Sequence, residues 1–270
     1  METIIQAANL GLKVGNKYIL QNINLEISKG EHWLIFGLNG CGKTSLTNIL
    51  SGYGYYTEGT LSVFGDTFNN KNIEEKRKKI GYVSLSFFEK IYFNESVLDI
   101  VLSGISGTLV NNTFPLDTGH YKLAYALLDE FGVLEKKHMP FSNLSKGQKQ
   151  NVLIVRALIS KPEILILDEP ASGLDVFNRE RLLSTIKMLA RETELTILYI
   201  THYTEEILEE FDRCILMKSG GIYRTGETKE IFNSENISQF LNYPVELSNK
   251  SERLHLYLNV TSRIKTLLNY

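Results

Sequence analysis

The chain has 270 residues, 43% of them hydrophobic, which is enough to bury the core of one domain with a subdomain. Its 29 Lys and Arg residues against 31 Asp and Glu residues give a net charge of −2, which argues against bulk electrostatic attraction to nucleic acid. The two cysteines exclude a disulfide scaffold and fit a reducing compartment.

The sequence contains no apolar run of the roughly 20 residues that a membrane helix needs. The N-terminus, METIIQAANLGLKV, lacks the basic start and apolar run of a signal peptide. We therefore expect a soluble cytoplasmic protein, and any membrane component that it serves should be another chain. The charged run Glu74–Lys79 is predicted to be a solvated helix face.

The first third of the chain is predicted to form short strands, with apolar residues alternating over 23–27. His32–Gly37 (HWLIFG) is an apolar strand that leads into a glycine-rich loop. Thr44–Gly52 has helical apolar spacing and ends on glycine, a common helix stop. Strand-like segments follow at Thr60–Phe64 and Ile80–Val83.

The pattern then becomes helical, most clearly over 97–102 and 121–131, which predicts an inserted helical subdomain at about 87–160. Strands return afterwards, with a long helix near Phe177–Arg191 between the first two. Apolar strands that alternate with helices indicate a parallel sheet covered on both faces. The strands predicted here are Ile164–Leu167, Thr196–Thr201 and Cys214–Lys218.

The end of the chain has a different pattern. Apolar residues alternate from Leu254 to Val260 as in a strand, and a short amphipathic segment closes the chain. We predict a main domain over 1–235 and a C-terminal tail over 236–270, to which the sequence assigns no function.

GLNGCGKT (Gly37–Thr44) matches the glycine-rich loop that binds nucleotide phosphates. Glycines let several backbone N–H groups converge on phosphate oxygens, and the following helix directs its positive end at the same anion. Lys43 can reach the β- and γ-phosphates, and the Thr44 hydroxyl can bind Mg²⁺. The residues predicted to contact the phosphates are Gly37, Leu38, Asn39, Gly40, Cys41, Gly42, Lys43, Thr44 and Ser45.

Acidic residues follow the buried strand in ILILDEP (Ile164–Pro170), where open parallel sheets bind ligands. Asp168 is placed to hold Mg²⁺ through a water, and Glu169 to orient or deprotonate the attacking water. His202 comes just after the next apolar strand and can lie beside the γ-phosphate, although a lone histidine is more often structural.

LSKGQ (Leu144–Gln148) has no catalytic role in its own chain, apart from a serine helix cap. With the loop, ILILDEP, SGLD (Ser172–Asp175) and His202 in this order, the sequence resembles ABC-transporter ATPases over nearly all of 1–235. That resemblance implies a P-loop NTPase core of α/β class, with an antiparallel β subdomain and an inserted α-helical subdomain.

In the family, two cassettes pair head to tail, and the LSGGQ-like segment of each closes on the ATP of the other. The resemblance therefore implies that Ser145, Gly147 and Gln148 contact the partner's ATP, and that Asp175 helps to join the two sites. Lys146 stands where the family usually has glycine, and either adds charge near phosphate or points to solvent, the orientation that we favour.

Two more positions depart from the family. The usual adenine-stacking aromatic aligns with Val14, so Tyr18 either replaces it or only packs on the strand subdomain. In IGYVSLSFF (Ile80–Phe88), Leu85 occupies the place of a glutamine that normally reaches Mg²⁺ and the attacking water. Ser84 or Ser86 could substitute through a water, and we expect hydrolysis to survive.

GEHW (Gly30–Trp33), the missing glutamine and IYRTGETKEIF near the end resemble the molybdenum-transport-like branch. We predict an ATP- and Mg²⁺-dependent ATPase that pairs with a second ATPase subunit and a transmembrane permease, peripheral at the inner face of the membrane. From the balanced charge we expect no direct nucleic-acid partner. The alternatives are a soluble ATP-dependent switch acting on nucleic acid or protein, and a degenerate cassette that binds ATP but barely hydrolyses it.

Overall fold

The computed structural model describes residues 2–68, 73–109, 114–250 and 253–258. Among these residues a six-stranded sheet forms the centre of the fold. Five neighbouring strands of this sheet are parallel, and the strand at one edge pairs with its neighbour antiparallel. In spatial order the strands are Gly221–Glu227 (β10), Arg213–Lys218 (β9), His32–Phe36 (β3), Thr196–Thr201 (β8), Ile164–Asp168 (β7) and Ile80–Ser84 (β6).

Three adjacent strands of this sheet are buried along their whole length. Every residue of β6, β7 and β8 is buried, as continuous apolar runs require when helices cover both faces of a sheet. The structure thus confirms the predicted α/β class, and β8 has the predicted bounds.

A second sheet is antiparallel and includes two strands of 12 residues each, so the prediction of short strands is wrong for these two. The other strands in the first third of the chain are short, as predicted. Shifts of register interrupt the pairing of the two long strands, and Asn9 has a φ of +49°. These irregularities break the period-two pattern that would have revealed the full length. In spatial order its strands are Lys17–Ser28 (β2), Thr3–Val14 (β1), Glu58–Val63 (β4) and Asp66–Thr67 (β5).

Helices cover the sheets and fill the interval between β6 and β7, where the helical subdomain is predicted. The inserted helices are Leu85–Ile91 (α3), Val97–Ser106 (α4), Thr118–Glu130 (α5) and Lys146–Leu158 (α6). The others are Lys43–Leu50 (α1), Ile73–Lys79 (α2), Val176–Glu192 (α7), Thr228–Ile231 (α8) and Ser234–Leu241 (α9).

Helix α2 is only partly a solvated face, contrary to the expectation from its charges. Lys76 is buried, and its Nζ donates to the carbonyl oxygens of Asp66 and Thr67. Arg77 donates to the carbonyl oxygen of Gly52. The long stems of these two residues pack on the domain while their charged ends satisfy backbone acceptors.

The C-terminal tail forms an antiparallel hairpin of Val245–Lys250 (β11) and Arg253–Leu258 (β12). The strand predicted from Leu254 onward is confirmed as far as Leu258. Val260 and the closing amphipathic segment lie outside the described residues. None of the described helices has the length and hydrophobicity to span a membrane.

Candidate nucleotide site

Four neighbouring strands deliver polar groups to one edge of the central sheet. Strand β3 ends at Phe36 before the glycine-rich loop, β8 ends at Thr201 before His202, β7 ends at Asp168, and β6 ends at Ser84. Their pairing aligns Phe36 with Thr201 and Ser84 with Asp168. Because the strands are parallel, these ends meet at one edge, the usual place for ligands of such sheets.

The loop after β3 has a path that only glycine permits at two points. A Cβ on Gly37 would lie 2.6 Å from the carbonyl oxygen of Met217 and 2.7 Å from Cys41 Sγ. Gly42 has a φ of +106°, and a Cβ there would lie 2.8 Å from Leu20 Cδ2. The loop is therefore packed tightly against these neighbours at both glycines.

Cys41 fills space inside this loop. Its side chain is buried, and burial is the main cause that raises the pKa of its thiol. A raised pKa suppresses the reactive thiolate, so the small size of Cys41 is its contribution to the loop.

Helix α1 begins directly after the loop and presents an anion-binding end. Gly42 is its N-cap and has no side chain to satisfy the first N–H groups of the helix. Lys43 is almost fully buried, and its Nζ donates to the carbonyl oxygen of Gly37 at 2.7 Å. The same Nζ lies 3.4 Å from Glu169 Oε1. The ammonium group therefore lies between the loop and the acidic strand end.

Asp168 is a buried carboxylate with one unused oxygen. Its Oδ2 accepts from Ser84 Oγ at 3.2 Å, while its Oδ1 has no hydrogen-bond partner among the described residues. Burial is the main cause that raises its pKa to about 6, and the hydroxyls of Thr44 and Ser84 oppose that rise. An unpaired buried carboxylate oxygen near a hydroxyl group fits a hard cation such as Mg²⁺.

Glu169 and His202, predicted from different segments, are in direct contact. His202 Nδ1 lies 3.0 Å from Glu169 Oε1, the oxygen that also faces Lys43. Glu169 has a φ of +49°, an uncommon conformation for a residue with a side chain. Its side chain is 28% exposed, so the carboxylate remains accessible from the open edge. We call Lys43, Asp168, Glu169 and His202 the strand-end cluster.

Leu85 lies beside this cluster but does not join it. It is the first residue of α3 and packs, partly buried, against the hydrophobic core. The preceding Ser84 contacts Asp168, and Ser86 Oγ lies 3.1 Å from Ser84 Oγ. The polar contact to the acidic residue at this strand end therefore comes from Ser84.

Residues Leu144–Gln148, the signature segment, form the capped start of α6. Ser145 Oγ accepts from the Gln148 N–H at 3.3 Å, and Gln148 Oε1 accepts from the Ser145 N–H at 3.0 Å. The predicted serine cap is thus confirmed. Within the described parts of the chain, no hydrogen bond or ion pair joins Ser145, Gly147 or Gln148 to the strand-end cluster.

Lys146 is exposed, and its side chain lies across the neighbouring SGLD loop. A Cβ on Gly173, which has a φ of +71°, would lie 2.3 Å from Lys146 Nζ. At the end of this loop, Asp175 caps α7 by accepting from the Asn178 N–H at 2.9 Å. The signature segment and the SGLD loop therefore pack together within one chain.

Tyr18 lies on β2 at the margin of the phosphate loop. Its ring is 42% exposed, and its hydroxyl donates to Glu58 Oε1 at 2.8 Å. The next residue, Ile19, has its carbonyl oxygen 3.0 Å from where a Cβ on Gly42 would be. The ring is therefore near the loop, with its orientation fixed by Glu58 and with Lys13 Nζ 5.1 Å from its centroid.

Sequence reasoning missed Thr201 and Glu206. Thr201 Oγ1 donates to Glu206 Oε2 at 2.6 Å and accepts from the Tyr203 N–H at 3.0 Å. The available signal is a hydroxyl residue at the end of an apolar strand, directly before a candidate histidine. That signal indicates a polar strand end but does not identify the acceptor.

Comparison with known proteins places the chain among ABC transporter ATP-binding proteins. The family described as ABC transporter matches residues 20–172, more than half of the chain. The uncharacterized ABC transporter ATP-binding protein YlmA of Bacillus subtilis is 40% identical, over 90% of this chain and 93% of that protein. The molybdate import ATP-binding protein MolC of Haemophilus influenzae is 30% identical, over 99% of this chain and 100% of that protein.

A solved structure extends the match to three dimensions. The bacterial ABC transporter cassette MJ0796, in a dimeric structure, superposes with a TM-score of 0.71 at 25% identity. The match covers 83% of this chain and 98% of that cassette. The chain therefore belongs to the ABC transporter family as an ATP-binding cassette with ATPase activity.

Proposed function

We propose that two copies of the chain close on two MgATP molecules and that hydrolysis reopens them, powering a separate transmembrane permease. The observation that carries this proposal is the shared position of Glu169 Oε1, 3.0 Å from His202 Nδ1 and 3.4 Å from Lys43 Nζ. A single carboxylate oxygen between an imidazole and a phosphate-binding ammonium is suited to act on the attacking water of phosphoryl transfer.

The loop from Gly37 to Ser45 would hold the phosphates through its backbone N–H groups and the start of α1. In the structure Lys43 Nζ is bound to the Gly37 carbonyl oxygen and faces Glu169. The phosphates of ATP would draw this ammonium away from Glu169. The carboxylate would then be free to orient or deprotonate a water while His202 holds its other contact.

Thr44 and Asp168 are the residues proposed to hold Mg²⁺, directly by the hydroxyl and through a water at the unpaired Oδ1. When bound, the metal would neutralise charge on the β- and γ-phosphates. Ser84, which donates to the other oxygen of Asp168, would keep that carboxylate oriented toward the loop. The aromatic ring of Tyr18 is proposed to contact the adenine.

The signature segment is proposed to act on the ATP of the second copy. Its Ser145 hydroxyl and the N–H groups at the start of α6, near Gly147 and Gln148, form an exposed anion-binding end. The dimeric arrangement of MJ0796 supports this assignment. Nucleotide would then set the balance of open and closed pairs, because phosphate contacts across the interface exist only in the closed state.

Coupling to transport places the chain at the inner face of the membrane, bound to a permease. The full-length likeness to MolC supports the molybdenum-transport-like branch, without choosing the transported substance for this chain. The family matches favour this function over a soluble switch acting on nucleic acid or protein. The accessible Glu169 and its contact with His202 favour hydrolysis over a degenerate cassette.

The test is steady-state ATP hydrolysis by the purified chain across protein concentration, beside Lys43→Ala and a Lys122→Ala control. Lys122 is an exposed residue of α5. We expect activity to rise faster than linearly with concentration, to vanish in Lys43→Ala and to persist in Lys122→Ala. Linear activity would contradict the two-copy site, and wild-type activity in Lys43→Ala would contradict the phosphate assignment.

The transport part needs a second measurement. Isolation of the chain from its own cells in mild detergent should bring along a multi-span membrane protein that stimulates hydrolysis. Recovery of RNA or a soluble protein in place of that membrane protein would favour the switch.

A further inference from the structure

The backbone that carries His202 is fixed by a short hydrogen-bond network. Thr201 Oγ1 accepts from the Tyr203 N–H at 3.0 Å and donates to Glu206 Oε2 at 2.6 Å. The network therefore spans the residues on both sides of His202 and ties them to the short turn Thr204–Glu206. Movement of that turn would be transmitted to the histidine through one hydroxyl.

Glu206 is the centre of this network. Its side chain is only 2% exposed, and its Oε2 also accepts from the Tyr199 hydroxyl at 3.0 Å. A buried carboxylate is costly unless it is hydrogen-bonded, so its two hydroxyl donors define its position closely. The turn cannot shift by much without breaking these bonds.

The C-terminal hairpin covers the other side of the same turn. Strand β12 packs against Thr204–Glu206, and Leu254 and Leu256 of this strand pack, partly buried, against the core. Arg253 Nη2 lies 2.8 Å from Glu180 Oε2 on α7. The hairpin is therefore attached by apolar packing and by an ion pair, and the turn is enclosed between it and the sheet.

The positive charge of Arg253 on the hairpin also acts electrostatically on Tyr199, a member of the hydrogen-bond network. Burial is the main cause that raises the pKa of Tyr199, and the positive charges of Arg253 and Arg179 oppose that rise. Arg253 is thus close enough to Tyr199 to act on it electrostatically, and Tyr199 donates to Glu206.

We propose that the β11–β12 hairpin is a positioning element for His202, acting through the Thr204–Glu206 turn and the Glu206–Thr201 hydrogen bond, with the Arg253–Glu180 pair holding it in place. This gives the tail a role in ATP turnover and rests on the proposed function of His202. His202 touches Glu169, whereas the hairpin acts only through other residues.

The test uses the full-length chain with reversed charges. Arg253→Glu faces Glu180 with a like charge, and the double variant Arg253→Glu/Glu180→Arg restores an opposite pair. Lys122→Glu is the matched charge-reversal control, because Lys122 is an exposed residue of α5 and is not part of the hairpin.

Three readouts are taken on each protein: the ¹⁵N resonances of the His202 imidazole, assigned with His202→Gln, the Kd for ATP, and kcat. In Arg253→Glu we expect the His202 resonances to move and kcat to fall about fivefold or more, with the Kd for ATP unchanged. The double variant should restore the His202 resonances and kcat, and Lys122→Glu should leave both as in the wild type.

Unchanged His202 resonances in Arg253→Glu would overturn the inference, whatever happens to kcat. A fall in kcat that the double variant does not restore would also overturn it. A wild-type chain that fails to hydrolyse ATP would refute the proposed function instead, and the resonances of His202 would still decide whether the hairpin positions this residue.

Discussion

The strand-end cluster and the signature segment differ in where their contacts are completed. In the cluster, Lys43 and His202 both reach Glu169 within one chain, at 3.4 and 3.0 Å. In the signature segment, the side chains of Ser145 and Gln148 each accept from the other residue's backbone N–H. The strand-end cluster thus contains ionisable side chains in contact with each other. The signature segment is a helix N-terminus whose cap is complete and whose capping residue, Ser145, is exposed.

The two regions therefore differ in whether one chain contains all the groups that act together. The register of parallel strands brings the cluster together, so its chemistry can be argued from distances within the chain. A helix cap is complete as local structure, and its ligand must come from outside. Substitutions in the two regions should therefore affect different steps of the ATP cycle.

The largest effect is expected from Glu169→Gln, which tests the cluster. Loss of the carboxylate should lower ATP hydrolysis by about 10²- to 10⁴-fold, the usual contribution of a positioned acid or base. ATP binding should persist, because Lys43 and the loop are intact, and closed pairs should accumulate with MgATP. Steady-state hydrolysis and light scattering measure the two properties.

Glu163→Gln is the control for this change. Glu163 precedes the opposite end of β7 and pairs with Lys79 at the surface. It should behave as the wild type. If Glu169→Gln retained wild-type turnover, another group would have to act on the water. The strand-end cluster could then not be assigned the catalytic step through Glu169.

A smaller effect, on a different step, is expected from Ser145→Ala. Loss of the hydroxyl should weaken ATP-dependent pairing by about 10- to 100-fold, as for a hydrogen bond to a charged group. ATP binding to the single chain should be unchanged. Analytical ultracentrifugation with MgATP and a fluorescent ATP analogue measure the two quantities.

Ser96→Ala separates this role from simple capping. Ser96 caps α4 and accepts from the Asp99 N–H at 3.2 Å, so both substitutions should cost about 1 kcal/mol of stability. Only Ser145→Ala should affect pairing. Equal pairing by the two variants would mean that the signature serine is a cap and nothing more.

A further effect concerns the pH dependence of Asp168, whose pKa is raised to about 6 from 3.8. Without Mg²⁺ the ionised buried carboxylate should destabilise the fold. Its contribution to stability is therefore fully present below pH 4 and is lost as pH rises through 6, by about 3 kcal/mol at most. Asp168→Asn should lack this dependence in denaturant unfolding.

Magnesium should reverse that trend, because it requires the ionised form. The apparent affinity for Mg²⁺ in the presence of ATP should weaken about tenfold per pH unit below pH 6. An affinity that is constant between pH 5 and 7 would show that Asp168 does not share in metal binding, leaving the nucleotide and Thr44 as the site.

The parts that sequence reasoning recovered are those with a strong local pattern. The unbroken apolar run of β8 and the glycine-rich loop have short-range signatures, as does the Ser145–Gln148 cap. The full length of β1 and β2 was missed because bulges break their alternation. Buried Lys76 was missed because a charged run gives no sign of which member will find backbone acceptors.

The sequence by itself determined the α/β class, the phosphate loop, the acidic strand end and the capped signature helix, since each depends on residue types at fixed short spacing. Only the tertiary structure decided that Ser84 contacts Asp168, that Glu206 holds Thr201, and that the C-terminal hairpin covers the turn after His202. Those contacts join segments that are brought together by sheet register and packing. Sheet register and packing between segments produce no periodic pattern in the sequence, so these contacts could not be predicted from it.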